Sequence, residues 1–263
     1  MMKLDQHFTE RDLSKELYDL IDDSQYDTII EPSAGAGAFS DLIPSNKRVA
    51  FDIDPKTPYT IEVDYLKSRS YVPVNDNILV IGNPPFGYRA QGAIDFFNEA
   101  AVYAETIAFI VPRSFNKAYI INQLNSMFHM STNIVLDEGV FESGTSARCV
   151  FQVWERKMVP REKIVLPKDV ADFSIVKQGK CFNKDDADWA VRRTGWKNTG
   201  ETVDPVNAKP ITQFIFLKSN IDKYTLKCNL DSIQQQLYEC ALETAMAPTF
   251  TQGELLKVYN EEF

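Results

Sequence analysis

The sequence predicts an α/β fold, in which a mostly parallel sheet is covered by helices on both faces and a small C-terminal region follows. Short apolar segments alternate with helical segments between residues 26 and 157, as in βαβ units. Segments 77–81 and 106–111 are apolar at nearly every position, which is typical of strands buried on both faces. With 263 residues, 44% of them hydrophobic, the chain can form a large core and a smaller appendage.

The predicted elements follow one another in a regular order. The first helix covers residues 4–23, with Thr9 as its N-cap. A second helix begins near Gly37, directly after a loop rich in small residues, and ends before Pro44. Further helices are predicted at residues 90–104 and 119–128. The predicted strands are residues 26–30, 48–51, 60–63, 77–81, 106–111 and 148–154.

The pattern loosens after residue 157, so we predict a core at residues 1–157 and a C-terminal extension at residues 158–263. Residues 158–210 are polar with scattered turns, a strand is predicted at residues 211–217 and a helix at residues 230–243. The extension either folds separately or completes the core, where it would contribute to substrate binding.

Composition narrows the class of protein. No apolar run approaches the roughly 18–20 residues that span a bilayer, and the N-terminal segment lacks a signal-peptide core. The four cysteines and two histidines fit no zinc-ligand spacing. We therefore expect a soluble intracellular protein, cytoplasmic or nuclear, with no metal site. The net charge of −9 argues against tight non-specific binding to duplex nucleic acid, although a binding cleft can be locally basic.

A loop of small residues between the first strand and the next helix is the first candidate site. Glycines there let the backbone approach a ligand closely, and amides at a helix N-terminus can face a polar group. The loop lacks the Lys-Ser/Thr pair of a phosphate loop, so a nucleoside triphosphatase is not expected. The candidate ligand-binding residues of the loop are Glu31, Pro32, Ser33, Gly35, Gly37 and Phe39.

Acidic residues after the next two strands extend this site. Asp52, followed by Ile53, ends the second strand, where a carboxylate can accept hydrogen bonds from both hydroxyls of a ribose. Asp64 and Tyr65 follow the third strand and could contact an adenine amine. Each acid alone would be an ordinary strand-end cap, whereas together with the loop they favour a nucleoside-containing cofactor.

The most specific motif is Asn83, Pro84, Pro85 and Phe86, directly after the apolar fourth strand. The exocyclic amine of adenine is a poor nucleophile because its lone pair is delocalised into the ring. The side-chain oxygen of Asn83 and the carbonyl of Pro84 could accept its two hydrogens and localise that lone pair. Proline presents its carbonyl rigidly, and Phe86 could stack on the purine for in-line attack. A base within a duplex would have to be flipped out to reach the motif.

The two motifs together resemble those of the class I S-adenosylmethionine-dependent methyltransferases that act on amines, and among these the N6-adenine methyltransferases. Residues 31–39 match the glycine-rich Glu-Pro-x-x-Gly-x-Gly-x-Phe motif, and residues 83–86 match the catalytic Asn-Pro-Pro-Tyr/Phe motif. The resemblance covers about residues 4–157 and includes the segment before the first strand, with Phe8 and Thr9 at the methionine end of the cofactor. It also includes Val111–Phe115 after the fifth strand.

The resemblance implies a Rossmann-like fold with a seven-stranded sheet, and S-adenosyl-L-methionine as cofactor. It implies methyl transfer to the N6 amine of adenine in a nucleic acid, with DNA favoured and RNA open, since phenylalanine in the catalytic motif also occurs in an enzyme that methylates messenger RNA beside the cap. It assigns ribose binding to Asp52 and adenine contact to Asp64. No large target-recognition domain is apparent in the sequence, which disfavours stringent sequence specificity.

Several aromatic and basic residues are weaker candidates for substrate binding. Stacking combined with phosphate contact suits the segment around residues 188–197, although a surface strand with one buried tryptophan explains it equally well. Phe141 and Arg148 flank a loop expected at the rim of the active site, and Phe141 could equally be a core aromatic. The candidates in the later segment are Trp189, Arg192, Arg193 and Trp196.

Two other functions compete with adenine methylation. Protein glutamine methyltransferases share an Asn-Pro-Pro-Tyr motif; the Glu-Pro-Ser-Ala-Gly opening of the loop and Phe86 argue against that function, and the acidic charge argues for it. A non-catalytic subunit that keeps the fold and binds nucleic acid with a partner is the second alternative. The two intact motifs disfavour it, because an inactive subunit has no need to keep both.

Overall fold

The computed structural model describes residues 9–74, 77–137 and 147–263. It consists of two compact units, Met1–Ile164 and Val165–Phe263. The predicted end of the core at residue 157 precedes this division, because the following residues still pair with the first unit. The amide of Lys157 donates to the carbonyl of Met127, and the amide of Arg161 donates to the carbonyl of Ser126, both at 2.8 Å.

The first unit alternates strands and helices in the order that the apolar segments predict. Its strands lie close to the predicted positions, with one further strand, β6, that the sequence did not indicate. Its elements are α1 (Arg11–Tyr18), β1 (Thr28–Glu31), β2 (Arg48–Asp52), β3 (Ile61–Glu62), β4 (Ile78–Gly82), α2 (Gln91–Ala100), β5 (Thr106–Pro112), α3 (Ala118–Ile121), β6 (Phe128–Val135) and β7 (Cys149–Arg156).

These strands form one seven-stranded sheet in the order β3-β2-β1-β4-β5-β7-β6. Strands β1 to β5 are parallel, and β7 is antiparallel to both of its neighbours, which confirms the predicted mostly parallel sheet. The chain runs outward from β1 to β3 and then returns to β4 on the other side of β1. The gap between the carboxyl ends of β1 and β4 is therefore the topological switch point, where open α/β sheets bind ligands.

Alternate residues of the sheet enter two separate cores, so helices cover both faces as predicted. On one face, residues such as Ile30, Val80 and Phe109 pack with α2 and α3. On the other face, Ile29 and Leu79 pack with residues of α1. Burial on both faces explains why β4 and β5 are apolar at nearly every position.

The predicted helix after residue 37 is absent, and residues 36–42 form consecutive turns. The amide of Asp41 pairs with the carbonyl of Gly37 four residues earlier, but the amide of Leu42 pairs with that of Phe39 three residues earlier, so helical pairing does not continue toward Pro44. The amides of Phe39 and Ser40 donate to the carboxylate of Glu31 at 3.4 and 2.6 Å. Gly35 and Gly37 also have φ values of 49° and 88°, which a right-handed helix excludes.

Two further elements differ from the predictions. Thr9 does not cap α1: the N-cap is Glu10, without a side-chain hydrogen bond, because the Thr9 hydroxyl accepts a hydrogen bond from Asn83. The helix predicted at residues 119–128 is only the short α3, and the chain then enters β6 at Phe128. Among the described ranges, no helix is long and apolar enough to cross a membrane.

The second unit has its own antiparallel sheet of four strands in the order β10-β9-β11-β8, so residues 214–219 extend this sheet and not that of the first unit. Three helices pack on one face of it around Leu226, Leu237 and Leu255. Its elements are β8 (Phe173–Val176), β9 (Trp189–Arg192), β10 (Thr202–Val203), β11 (Phe214–Ser219), α4 (Lys223–Ser232), α5 (Gln234–Leu242) and α6 (Gln252–Glu262).

Candidate active site

Glu31 organises the loop that follows β1. Its carboxylate is almost completely buried and accepts hydrogen bonds from the amides of Phe39 and Ser40. Burial raises the pKa of Glu31 to about 8, against the opposing effect of the Ser40 and Phe39 hydrogen bonds, which favour the charged form. Phe39 itself is completely buried beneath the loop. Glu31 and Phe39 therefore shape the loop from inside, and a ligand would meet the residues between them.

Asp52 joins this loop to the end of β2. One of its carboxylate oxygens accepts the amide of Gly35 at 2.7 Å, and the other accepts the amide of Asp54 at 2.8 Å. The amide of Ala34 also donates to the carbonyl of Phe51 at 2.9 Å. The carboxyl ends of β1 and β2 are thus one hydrogen-bonded structure, as expected if both contribute to the same binding site.

Position 37 requires glycine, because its φ of 88° is left-handed and the space beside its Cα atom is occupied. A Cβ atom at this position would lie 2.7 Å from the Tyr59 hydroxyl and 3.2 Å from a Thr57 methyl group. Tyr59 is held in turn by a hydrogen bond to Asp41 and by the Arg48 guanidinium, 3.7 Å from its ring centroid. Tyr59 and Thr57 were not identified from the sequence, because nothing in the local pattern indicates that they fold over the loop.

Asn83 lies at the carboxyl end of β4 and is held from two sides. Its carbonyl oxygen accepts a hydrogen bond from the Ser33 hydroxyl at 3.0 Å. Its side-chain Nδ2 donates to the Thr9 hydroxyl at 3.2 Å. Thr9 and Ser33 were both predicted to bind the cofactor, and the structure places each of them in direct contact with Asn83 of the predicted catalytic motif.

The rest of the motif is enclosed by the start of α2. Pro84 is buried, Pro85 is partly buried, and Phe86 is only 7% exposed within the core on the α1 face. The carbonyl of Phe86 accepts the amide of Gly92 at 3.0 Å. A Cβ atom on Gly92 would lie 2.5 Å from the carbonyl oxygen of Pro85, so only glycine allows this approach. Stacking of a base on Phe86 would use the small part of the ring that remains exposed.

The other predicted cofactor residues differ in how exposed their side chains are. Ile53 is 52% exposed beside Asp52, where it offers an apolar surface. The side chain of Asp64 is partly exposed, accepts the amide of Leu66 and forms an ion pair with Lys67 at 3.0 Å. Tyr65, however, packs in the core, and its hydroxyl bonds to that of Tyr103. Any contact of Tyr65 with a ligand would therefore come from its main chain.

The weaker substrate candidates are divided between the two units. Arg148 is buried just before β7, and its carbonyl accepts the amide of Arg113 at the carboxyl end of β5. In the second unit, Trp189 faces the helices and donates to the carbonyl of Lys223, whereas Arg192 lies over Phe214. The main chain of Arg193 pairs with Gln213 and Phe250. Trp196 is 59% exposed and lines a surface pocket.

Two of the predicted residues, Phe8 and Phe141, lie outside the described residues, as do Gln6 and His7. Within the described ranges, no group of three histidine, cysteine or acidic side chains could hold a metal ion. The four cysteines are free thiols.

No protein-family profile matches the sequence, and no curated protein matches it. Among solved structures, the chain is similar to a protein from Vibrio vulnificus described as a modification subunit of a type I restriction enzyme, with a TM-score of 0.46, 15% identity, and coverage of 57% of this chain and 44% of that one. It is similar to a 23S rRNA methyltransferase, with a TM-score of 0.43, 13% identity, and coverage of 59% of this chain and 71% of that one. It is also similar to the M protein of the type I restriction enzyme EcoKI, with a TM-score of 0.43, 13% identity, and coverage of 90% of this chain and 73% of that one.

The chain spans less than half the length of the first of these structures. Likeness at this level says nothing about activity. The chain's own topology identifies the fold. Its seven-stranded sheet has one antiparallel strand, β7. The loop after β1 and the motif after β4 meet at the switch point of this sheet. This is the class I methyltransferase fold.

Proposed function

We propose that the protein is a methyltransferase that transfers a methyl group from S-adenosyl-L-methionine to the N6 amine of adenine in a nucleic acid, with DNA favoured over RNA. The hydrogen bond from Ser33 to the carbonyl of Asn83 carries this proposal. It links the proposed cofactor loop and the proposed catalytic amide directly, which is the arrangement needed when a donor and an acceptor must meet within reacting distance.

The carboxyl ends of β1 and β2 suit this cofactor. The Asp52 oxygens each accept one amide, and a carboxylate oxygen has a further lone pair with which to accept a ribose hydroxyl. The exposed side chain of Ile53 offers an apolar surface to an adenine ring. When bound, S-adenosyl-L-methionine supplies an electrophilic methyl group. Thr9, buried beside Asn83, would lie at the methionine end of the site.

Asn83 and Pro84 would activate the substrate amine. Nδ2 of Asn83 donates to the Thr9 hydroxyl, and Oδ1 lies on the other side of the amide group. Oδ1 and the Pro84 carbonyl would each accept one hydrogen of the adenine amine and concentrate the nitrogen lone pair on the side facing the methyl group. The amine would lose a proton after methyl transfer, so no strong base is required in the site.

The test is transfer of a labelled methyl group to four substrates in parallel: double-stranded DNA, single-stranded DNA, RNA and a protein extract. We expect N6-methyladenine in one nucleic acid, and its loss in Asn83→Ala by at least the factor of roughly 100 that removal of one preorganised hydrogen-bonding group costs. Asn207→Ala is the matched control, because Asn207 is exposed in the second unit and only its main chain is hydrogen-bonded.

Cofactor binding is measured separately by calorimetry. Asn83→Ala should still bind S-adenosyl-L-methionine, and Asp52→Ala should bind it at least about tenfold more weakly, since hydrogen bonds to charged groups contribute about 1.5–3 kcal/mol. Label in protein alone would refute adenine methylation in favour of glutamine methylation. Cofactor binding without any transfer would favour a non-catalytic subunit.

A further inference from the structure

The segment directly after the catalytic motif has an unusual backbone. Gly87, Arg89 and Ala90 have φ values of 66°, 53° and 63°, so two successive residues with side chains adopt the left-handed conformation. This conformation costs about 1–2 kcal/mol for each residue other than glycine. Strained residues of this kind persist where the surrounding structure holds them, and they are concentrated at functional sites.

Both ends of this segment are held in place. Phe86 is buried on one side, Ala90 is buried on the other, and the Phe86 carbonyl accepts the amide of Gly92 at 3.0 Å. The residues between them project outward as a consequence. Tyr88 is 79% exposed, although large aromatic side chains usually bury most of their surface. The strained backbone therefore presents Tyr88 and Arg89 to solvent within three residues of Phe86 and six of Asn83.

The two exposed side chains form one recognition surface. The Arg89 guanidinium lies 5.1 Å from the centroid of the Tyr88 ring. Within the described ranges, no acidic side chain pairs with Arg89. An aromatic plane beside an available guanidinium matches a nucleotide, whose base can stack and whose phosphate can accept from arginine. On a chain with a net charge of −9, it provides local positive charge beside the proposed active site.

We propose that Tyr88 stacks on the base of the nucleotide next to the target adenine and that Arg89 contacts the adjoining phosphate. This proposal rests on the proposed function. Tyr88 is two residues from Phe86, so the chain separates them by at most about 7 Å, and a base on Tyr88 would neighbour a base at the catalytic motif. Stacking on an exposed ring requires an unpaired base, so the substrate would be single-stranded or opened around the target adenine.

The experiment measures binding of a fluorescent single-stranded oligonucleotide containing one adenine, by anisotropy, with the full chain at several salt concentrations. Tyr88→Ala should raise Kd by about fivefold to 140-fold, which is the change in affinity expected when one base loses its stacking on an aromatic ring. The Kd of Tyr88→Phe should remain within about twofold of the wild-type Kd. Arg89→Gly should reduce the slope of log K against log salt by about 0.7 for one lost phosphate contact.

Two controls separate recognition from damage to the fold. Arg89→Gly replaces a left-handed residue with the one that tolerates this conformation, so its melting temperature should not fall appreciably. Tyr224→Ala removes another exposed tyrosine, in α4 of the second unit, and should leave the oligonucleotide Kd unchanged.

The outcomes distinguish this proposal from the proposed function. If the wild type neither binds nor methylates any nucleic acid, the proposed function fails and this inference fails with it. If the wild type methylates adenine while Tyr88→Ala and Arg89→Gly keep its Kd and salt slope, this inference alone is overturned.

Discussion

Replacing Gly92 with alanine tests the geometry of the proposed catalytic motif most directly. Gly92 lies in the first turn of α2, and its Cα faces the main chain of the motif. A Cβ atom there would lie 2.5 Å from the Pro85 carbonyl oxygen and 3.3 Å from the carbonyl carbon and oxygen of Phe86. The obstacle is backbone on every side, so no side chain can rotate away to accommodate the new methyl group.

Two opposing effects set the size of the response. Alanine is favoured over glycine in a helix by about 1 kcal/mol, whereas overpacking of a filled site costs about 1–3 kcal/mol. The net loss of stability should therefore be no more than about 2 kcal/mol. To reach a contact of 3.0 Å from 2.5 Å, the Pro85 carbonyl must move by about 0.5 Å. A displacement of 1 Å can cost about a hundredfold in rate, so about 0.5 Å should reduce kcat about tenfold.

The assay compares kcat for methyl transfer, the Kd for the cofactor and the melting temperature in wild type and Gly92→Ala. The matched control is Gly179→Ala, because a Cβ on Gly179 would meet nothing within 4 Å. We expect kcat to fall in Gly92→Ala alone, with little change in the Kd for the cofactor. A Gly92→Ala protein that is more stable than the wild type and equally active would show that the close approach to Pro85 does not exist.

Two further predictions concern stability. Burial raises the pKa of Glu31 from its ordinary value to about 8, so the folded protein holds a proton that the unfolded chain releases, and the free energy of unfolding should fall between about pH 4.5 and pH 8. Urea unfolding across this range should show a smaller fall in Glu31→Gln; an identical pH profile would contradict the shift. The Arg161 guanidinium donates to three carbonyls, those of Ile121, Leu124 and Phe128. Lysine has a single nitrogen and cannot make the same three hydrogen bonds in this geometry. Arg161→Lys should therefore lose about 1–3 kcal/mol, and an unchanged urea midpoint would contradict this role.

The sheet could be predicted from the sequence because its strands are buried on both faces. Burial on both faces makes β4 and β5 apolar at nearly every position, and each of them ends at a residue that stops a strand. The positions of the loop after β1 and of Asn83 after β4 follow from the same alternation, since carboxyl ends of parallel strands share one edge. By contrast, β6 is buried at only one of its eight positions, so its sequence carries little of the apolar signal.

The failures have two physical causes, one local and one long-range. The helix expected after Gly37 is replaced by turns, because pairing changes to three-residue spacing at Leu42 and Pro44 disfavours helical geometry in the residue before it. Thr9 does not cap α1 because its hydroxyl pairs with Asn83, 74 positions away in sequence. Local propensity describes how each residue would pair with its neighbours, and it has no information on a partner brought near by the sheet.

Long-range hydrogen bonds also hold the proposed catalytic motif in place. Thr9 holds the side chain of Asn83, Ser33 holds its main chain, and Gly92 leaves room for the carbonyls of Pro85 and Phe86. These contacts come from three separate parts of the chain and act on different atoms of one short loop. A loop held in this way can keep its carbonyls directed at a substrate without a bound ligand, which is the preorganisation that hydrogen-bond catalysis requires.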